Sequence, residues 1–323
     1  MNVLITGSNG FVGSELMYLL EEHGYRVLGI DRAKDTGNRN HPKTLIGDLN
    51  DTSTYDLIDL PIDVIIHCAA AKSDFGISTE EYFADNVTAT ENVVKFAESL
   101  GIHKIIYYST VSVYGHQNHA MHESADLLSN TVYGDTKLQG ERVIERWLTS
   151  NEANKAIMLR PSVIYGENNF ANMYNLLDML YRRPLVMIGK GDYIKSMIAR
   201  KNLIALNLFL LKRGVDIKLE AFNCIDKPYI SLNQLMTLVA EEDGFSIPKI
   251  SIPLWLAYLM ATPFEILSKL SGKDLKVNWN RLKKFSTSTD YRAEKIRSIG
   301  YIQKFSTEDE IKAMCKWYKS TKG

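Results

Sequence analysis

The chain has 323 residues, of which 45% are hydrophobic and 24% charged, and its 38 basic and 38 acidic side chains cancel. This composition is typical of a globular protein with one large domain or two unequal ones. The chain lacks the basic excess that nucleic-acid-binding proteins usually carry, which argues against a nucleic-acid partner. Three scattered cysteines without metal-ligand spacing favour a reduced, cytoplasmic setting. A strand pattern that begins at residue 2 predicts no signal peptide.

The start of the chain predicts a strand, a glycine-rich turn, a helix and a second strand. The apolar run 2–6 is followed by Gly7, Gly10 and Gly13 at G-x-x-G-x-x-G spacing, and the second strand closes on Asp31. Glycines allow a tight turn there, so that backbone N–H groups at a helix start can face a pyrophosphate. We therefore predict a dinucleotide site, the alternative being a tight turn that binds nothing.

Asp31 also discriminates between dinucleotides. A carboxylate at the tip of the second strand can accept both hydrogen bonds from an adenosine ribose and would repel a 2′-phosphate, which favours NAD over NADP. Arg32 and Lys34 follow closely and could pair with such a phosphate. NADP therefore stays an alternative.

Strand and helix patterns alternate through the first half of the chain, which predicts a parallel sheet with helices on both faces. Further strands are expected at residues 26–30, 43–46, 63–67, 104–109 and 156–160. Helices are expected at residues 11–23, 52–60, 81–100 and 131–151.

From residue 168 onward helical patterns dominate. Helices are expected at residues 168–183, 200–213, 232–242, 254–270 and 307–319, and strands at 185–188 and 222–225. The predicted fold class is α/β, a Rossmann-type doubly wound parallel sheet with a smaller, mostly helical C-terminal substrate domain. We place the NAD-binding domain at 1–166 and the mainly substrate-binding domain at 167–323, with segments at about 200–228 returning to the first domain.

Tyr133 and Lys137 lie four residues apart on a predicted helix, so their side chains share one face. A tyrosine has a pKa of ~10 and is a poor base at neutral pH, but a nearby ammonium and an oxidised nicotinamide ring favour its phenolate. Tyr133 could then take a proton from a substrate hydroxyl while hydride leaves the same carbon, and Thr110 could bond that oxygen. The spacing of Tyr133 and Lys137 alone is also compatible with two neighbouring side chains on a surface helix that has no catalytic role.

The polar loop 116–130 contains His116, His119 and His122. Their spacing is irregular for zinc, and the rest of the sequence offers no matching ligand cluster. We therefore predict a substrate-facing loop and no metal site.

The most apolar segment, residues 252–270, is interrupted by Pro253, Pro263, Glu265 and Lys269. These interruptions argue against a membrane span. We predict an amphipathic helix that covers the core or a ligand cleft, and peripheral membrane contact is an alternative.

Several motifs follow one another through the first half of the chain: 6–13 (TGSNGFVG), Asp31, 47–49 (GDL), 67–71 (HCAAA), Asn86, 109–115 (STVSVYG), 133–137 (YGDTK) and 160–161 (RP). Together they resemble the extended short-chain dehydrogenase/reductase family, and more narrowly its NAD-dependent epimerase/dehydratase branch, which acts on nucleotide sugars. The resemblance implies a Rossmann domain of about seven strands.

The resemblance also implies roles for individual residues. Thr110, Tyr133 and Lys137 fall at catalytic positions, and Asn86 matches an asparagine that helps to hold the active-site lysine and its water. Cofactor contacts are implied for Gly7, Asn9, Gly10, Phe11, Val12, Gly13, Asp31, Arg32, Asp48, Leu49, Ala69, Ala70, Ala71, Tyr133, Lys137, Pro161 and Val163.

The second half resembles the family more weakly. Lys195 stands where the family carries a diphosphate-binding arginine. A lysine can pair with phosphate as a point charge but lacks the bidentate fork of arginine. Lys284, grouped with Arg281 and Lys283, is a second predicted substrate contact, and its alternative is a solvated helix face.

Departures from the family pattern narrow the reaction. Val111 and Ser112 replace the Asp-Glu pair of the family's 4,6-dehydratases, and no cysteine lies near Thr110 in the sequence to serve 3,5-epimerisation. We therefore predict an NAD-dependent nucleotide-diphosphate-sugar epimerase that acts at sugar C4 through a 4-keto intermediate. The alternatives are an NAD(P)-dependent dehydrogenase or ketoreductase of a nucleotide sugar or a steroid-like or small alcohol, and a non-catalytic dinucleotide-sensing protein.

The resemblance further implies a homodimer joined through helices 81–100 and 131–151 as a four-helix bundle. Apolar positions on both helices could form that interface or face their own sheet: Val93, Val94, Val143 and Ile144. The expected partners are a nucleotide-diphosphate sugar and a second copy of the chain, with no nucleic acid and no integral membrane segment.

Overall fold

The computed structural model describes residues 1–323 except 35, 39, 73–75, 182–186, 216–217, 245–250, 272–278, 280–281, 283–286 and 323. Its contacts divide the chain into two units. The first contains Met1–Ile164, Met197–Asp226 and Tyr291–Phe305, and the second contains Tyr165–Ser196, Lys227–Asp290 and Ser306–Gly323.

The described strands are, in chain order, β1 (Asn2–Thr6), β2 (Arg26–Asp31), β3 (Thr44–Ile46), β4 (Val64–His67), β5 (Lys104–Tyr108), β6 (Lys155–Pro161), β7 (Val163–Tyr165), β8 (Met187–Ile188), β9 (Met197–Ala199), β10 (Leu219–Cys224) and β11 (Ser251–Ile252). The α-helices are α1 (Gly13–Glu22), α2 (Thr79–Phe83), α3 (Ala89–Ser99), α4 (Val132–Ser150), α5 (Asn172–Tyr181), α6 (Arg200–Arg213), α7 (Leu232–Asp243), α8 (Leu254–Ser271), α9 (Glu294–Ser298) and α10 (Thr307–Ser320). Short 3₁₀ turns cover Thr52–Leu57 and Val111–Tyr114, and a π-helical turn covers Ala84–Thr88.

A seven-stranded sheet in the order β10-β6-β5-β4-β1-β2-β3 forms the first unit, and its paired strands are parallel. Its central strands are continuous apolar runs, as a parallel sheet buried on both faces requires, and Val3, Leu4 and Ile5 of β1 are at most 1% exposed. The strand order reverses between β1 and β4, where Thr6 pairs with His67. Ligands of doubly wound sheets bind outside the carboxyl ends of the strands at such a switch point.

The core on one face of this sheet is formed with α3 and α4, and it includes Ile65, Ile105 and Trp147. Four residues proposed for a dimer interface belong to this core and are at most 8% exposed: Val93, Val94, Val143 and Ile144. The second alternative for them is correct, because they face their own sheet.

The predicted fold class is confirmed, with the seven parallel strands in place. The expected helix 81–100 begins earlier, at Thr79, because a capping box starts it. The Ser78 hydroxyl accepts the N–H of Glu81, and the Glu81 carboxylate accepts the N–H of Ser78. A further difference concerns the chain's return to the first unit, which includes residues 291–305 as well as 197–226.

The second unit is mostly helical. Tyr318 of α10 donates a hydrogen bond to Asp178 of α5 at 2.9 Å, and the rings of Tyr181 and Tyr318 stack at 4.9 Å. Across the described ranges, no helix combines the length and the apolarity that crossing a bilayer requires.

Candidate active site

The glycine-rich turn after β1 leaves no room for side chains. Gly7 has φ +69°, and a Cβ at Gly7 would lie 2.8 Å from the amide nitrogen of Ala69. A Cβ on Gly13 would lie 2.1 Å from the carbonyl oxygen of Gly7, which also accepts the N–H of Gly10 at 3.0 Å. The close approach brings the start of α1 against the ends of β1 and β4, and it forms the cradle that a pyrophosphate needs.

Asp31 ends β2 beside this cradle. Its carboxylate accepts the N–H of Asn9 and the N–H of Ala33, each at 2.9 Å. Arg32 pairs with Asp85 at 2.7 Å. The Arg32 charge is therefore already balanced by a carboxylate, and a 2′-phosphate near Asp31 would meet repulsion without a free guanidinium from Arg32.

A cleft of about 300 Å³ opens at the switch point of the sheet. Most of the predicted cofactor residues line it: Gly7, Gly10, Phe11, Val12, Gly13, Asp31, Arg32, Asp48, Leu49, Ala69, Ala70, Tyr133 and Pro161. Other predicted site residues are absent from its wall: Asn9, Ala71, Asn86, Thr110, Lys137, Val163 and, in the second unit, Lys195. The sequence prediction missed further wall residues: Ile30, Thr36, Gly47, Cys68, Lys72, Asp85, Ala89, Tyr108, Ser109 and Ile164.

The position of several missed residues could have been used to find them. Cys68 and Ser109 directly follow β4 and β5, and the carboxyl ends of parallel strands are where such clefts form. Asp85 belongs to no motif, and its place depends on the π-helical turn and on its pairing with Arg32.

Thr110 and Tyr133 are brought together at the end of β5. The hydroxyl of Thr131 caps α4 by accepting the N–H of Gly134 at 3.1 Å, which places Tyr133 in the first turn. The Thr110 side chain is near enough to the Tyr133 hydroxyl to act on its pKa as a hydrogen-bond partner. Burial raises the pKa of Tyr133 to about 12, and the bond to Thr110 acts in the opposite direction. The chain's own residues thus keep Tyr133 protonated at neutral pH.

Lys137 lies one helical turn further along α4 and is 1% exposed. Its ammonium nitrogen is 4.2 Å from the centroid of the Tyr107 ring and has no hydrogen-bond partner among the described residues. Burial lowers the pKa of Lys137 to about 7, although Glu141 and Cys68 act to raise it. An ammonium held in this way fits an incoming acceptor, since three donors remain unused.

Residues 3–224 match the NAD dependent epimerase/dehydratase family. The chain belongs to this family. It is also 33% identical over 307 residues to the N-acetyl-alpha-D-glucosaminyl-diphospho-ditrans,octacis-undecaprenol 4-epimerase of Escherichia coli O157:H7, a match that covers 94% of this chain and 91% of that enzyme.

Solved members of the epimerase/dehydratase family share the fold. The UDP-glucuronic acid 4-epimerase of Bacillus cereus in complex with NAD superposes with a TM-score of 0.76 at 23% identity and full coverage of both chains. The UDP-glucose 4-epimerase of Thermotoga maritima with UDP-glucose has a TM-score of 0.77 at 19% identity, again over the whole of both chains. The resemblance predicted from the motifs is confirmed.

Asn86 connects three parts of the first unit. Its carbonyl accepts the N–H of Ala71 at 2.8 Å, and its amide donates to the carbonyl of Ala71 at 3.1 Å and to the hydroxyl of Thr136 at 3.0 Å. Asn86 is fully buried and lies in the π-helical turn 84–88. It therefore fixes the strand exit at Ala71 against the helix that carries Tyr133 and Lys137, without itself reaching the cleft.

His67, at the end of β4, is a structural residue. Its two ring nitrogens are bonded to the hydroxyls of Thr6 at 2.6 Å and Thr90 at 3.1 Å, and its side chain is completely buried. Burial, with a smaller effect from Lys137, lowers the pKa of His67 to about 3. The imidazole therefore stays neutral and joins β1, β4 and α3.

Lys195, one of the two predicted substrate residues, is not part of the cleft wall described above. The ammonium of Lys195 donates to the carbonyl of Thr287 at 2.7 Å, and burial lowers the pKa of Lys195 to about 8. Lys284 lies outside the described residues. Within the described part of the chain, no three His, Cys, Asp or Glu side chains are arranged to hold a metal ion, and His116, His119 and His122 do not form such a group.

Proposed function

We propose that this protein is an NAD-dependent 4-epimerase of a sugar joined to its carrier through a diphosphate. The observation that carries the proposal is the arrangement of three side chains in their family setting: Thr110 acts on the Tyr133 hydroxyl, and one helical turn away lies the Lys137 ammonium, which has no hydrogen-bond partner among the described residues. The full-length relative is named as a 4-epimerase of a diphosphate-linked sugar, which supports the same reaction.

NAD fits the residues that are present. The glycine cradle accepts no side chain, Asp31 ends β2 beside it, and Arg32 is paired with Asp85. Structural neighbours are named as NAD complexes. We propose that the cradle holds the pyrophosphate, Asp31 the adenosine ribose, and Lys137 an acceptor group near the nicotinamide end of the cleft.

The chemistry that NAD supplies when bound is reversible hydride transfer at C4 of the sugar. Tyr133 takes the proton of the C4 hydroxyl and returns it after the 4-keto sugar has turned over. Thr110 holds the same oxygen. Because burial raises the pKa of Tyr133 to about 12, a bound cation is needed to make the phenolate accessible at neutral pH. The predicted activation of Tyr133 is thus a property of the loaded enzyme.

The experiment supplies purified protein with NAD and with N-acetylglucosamine linked either to UDP or to a polyprenyl diphosphate. We expect one of the two to be converted into its C4 epimer, seen by chromatography of the released sugar. Accumulation of NADH together with a keto sugar would point to a dehydrogenase. Binding of NAD without turnover of either compound would contradict the proposal and favour a sensing role.

We further propose that the protein is cytoplasmic and a homodimer. Phe83 of α2 is 45% exposed and Val132 of α4 is 40% exposed, and they are apolar positions that a second copy could cover. Light scattering is expected to give twice the chain mass of 36.6 kDa. Phe83→Glu should lower that mass, and a monomeric wild-type protein would contradict the dimer.

A further inference from the structure

Helix α8 presents its large apolar side chains to solvent. Six of them are between 47% and 68% exposed: Trp255, Leu259, Met260, Phe264, Ile266 and Leu267. The fully buried side chains of this helix are small, Ala257 and Ala261, which form a separate cluster with Leu282 against which Tyr258 packs. A core helix has the opposite arrangement, so this face is built for contact with something outside the unit.

The exposed residues form one continuous apolar half of the helix. At about 100° per residue, the six residues and Pro263 fall within roughly half of the circumference, which contains no polar residue before Ser271 at the end of the helix. The polar residues Thr262, Glu265 and Ser268 fall on the other half. Thr262 donates its hydroxyl to the carbonyl of Tyr258 at 2.8 Å, one turn before it and next to Pro263.

A basic segment follows this helix directly in the sequence. Between residues 269 and 284 the chain carries Lys269, Lys273, Lys276, Arg281, Lys283 and Lys284 against the single acid Asp274, although the whole chain is neutral. Trp279 in the same segment is 43% exposed, and its ring lies 6.5 Å from that of Tyr258. An apolar helix face that is followed in the sequence by an exposed indole ring and a run of lysines is typical of helices that lie in the interface of an anionic bilayer.

We propose that the apolar half of α8 is a membrane-docking surface, which lies in the headgroup region of an anionic bilayer. The inference rests on the proposed function, because it identifies the carrier of the sugar diphosphate as a polyprenyl lipid held in that bilayer. The named substrate of the relative at 33% identity has such a carrier. Charge favours a lipid surface over a second copy, since a second copy would present the same cations.

The test is flotation of the full-length protein with vesicles of equal parts phosphatidylethanolamine and phosphatidylglycerol. We expect the wild-type protein to float with these vesicles and to stay in solution with vesicles of phosphatidylcholine alone. Leu259→Glu should lower the partition coefficient about tenfold, because it removes an inserted apolar group and adds a like charge to an anionic surface. Phe264→Ser is a second variant on the same face.

Ile302→Glu is the matched control, because Ile302 is 82% exposed and lies in the first unit. It should float as the wild type does. Equal flotation of Leu259→Glu and wild type would overturn the proposal, as would a wild type that never floats. A face that instead mediates self-association, detected as a mass that falls in Leu259→Glu without any vesicle binding, would also overturn it.

Turnover separates this inference from the proposed function. On polyprenyl-diphosphate-linked sugar in vesicles, Leu259→Glu should lose about tenfold in rate, in step with its partitioning. On a short, water-soluble prenyl analogue the two proteins should react equally. If neither substrate is epimerised but flotation follows the pattern above, the proposed function fails and the docking surface stands.

Discussion

Tyr133 is half-buried and Lys137 is buried, and the surroundings of both residues oppose their charged forms. The spacing of these residues was readable from the sequence, and so was the face that they share. Their depth was not, because it depends on Tyr107 from β5, whose ring lies 4.2 Å from the Lys137 ammonium. The pKa values of about 12 and about 7 follow from that depth.

Removing the Tyr133 hydroxyl tests its role as the proton carrier. Tyr133→Phe should bind NAD as the wild type does and lose about 10²–10⁴-fold in kcat, the usual contribution of a positioned acid–base group. The measurements are steady-state epimerisation and NAD titration. Tyr82→Phe is the matched control, since the Tyr82 ring lies 6.3 Å from that of Tyr133, and it should stay within a few-fold of wild type. Near-normal turnover by Tyr133→Phe would refute the mechanism.

The buried ammonium of Lys137 should lower the free energy of unfolding of the protein. Because the pKa of Lys137 falls from 10.5 to about 7 on folding, the unfolded chain binds one more proton between these values. The free energy of unfolding of the cofactor-free protein therefore rises with pH across this window, by at most ~1.4 kcal/mol per pH unit, and the burial penalty is fully present below pH 7.

Lys137→Met keeps the volume and removes the charge. We expect this variant to be at least as stable as wild type at pH 7, to lack the rise of stability between pH 7 and 10.5, and to be inactive. Urea unfolding at a series of pH values measures the difference between the two proteins. Parallel curves for wild type and variant would show that Lys137 is not titrating in this range.

At the scale of elements, the helical region 79–99 shows which features of a helix can be predicted from the sequence and which cannot. Ser78 and Glu81 form a readable capping signal. The π-helical turn at 84–88 is not readable, because it exists where Asn86 bonds Ala71 and Thr136 from two other elements. Local periodicity gives a helix, and only the tertiary contacts decide which of its turns widens.

A buried ion pair fixes α4 to β6. Arg160 donates to both carboxylate oxygens of Glu141, at 2.8 and 2.6 Å, and to the hydroxyl of Tyr114 at 2.8 Å. Glu141 lies one helical turn beyond Lys137, so this pair holds the helix that carries Tyr133 and Lys137.

Replacing one partner of this ion pair should lower the stability per substitution more than replacing both partners together. Arg160→Met leaves a buried carboxylate and should lower the free energy of unfolding by about 3–5 kcal/mol, as should Glu141→Leu. The double variant should lose clearly less free energy of unfolding than the two single variants lose in sum, because neither charge is then left unpaired. A double-mutant cycle by urea unfolding measures this coupling, and strictly additive losses would contradict it.

For the whole molecule, the doubly wound sheet was predictable because each strand is a short apolar run bounded by turn residues. The return of residues 291–305 to the first unit was not, since it depends on distant pairs. Arg292 donates its N–H to the carbonyl of Met121 at 2.9 Å, and Asn223 donates to the carbonyl of Arg292 at 2.9 Å. The sequence likewise located the apolar helix near residue 254 but left open whether it covers a core, whereas the structure exposes its large side chains.

The most direct test of the central claim follows the hydrogen at C4. N-acetylglucosamine deuterated at C4 and linked to UDP or to a polyprenyl diphosphate is epimerised in ordinary water, and the product is examined by mass spectrometry and NMR. An epimerase that returns the same hydride to the opposite face keeps the deuterium at C4 and leaves no net NADH. Loss of the label to solvent would contradict the 4-keto mechanism proposed for Tyr133, Thr110 and Lys137, and accumulation of the label in reduced nicotinamide would contradict epimerisation in favour of a dehydrogenase.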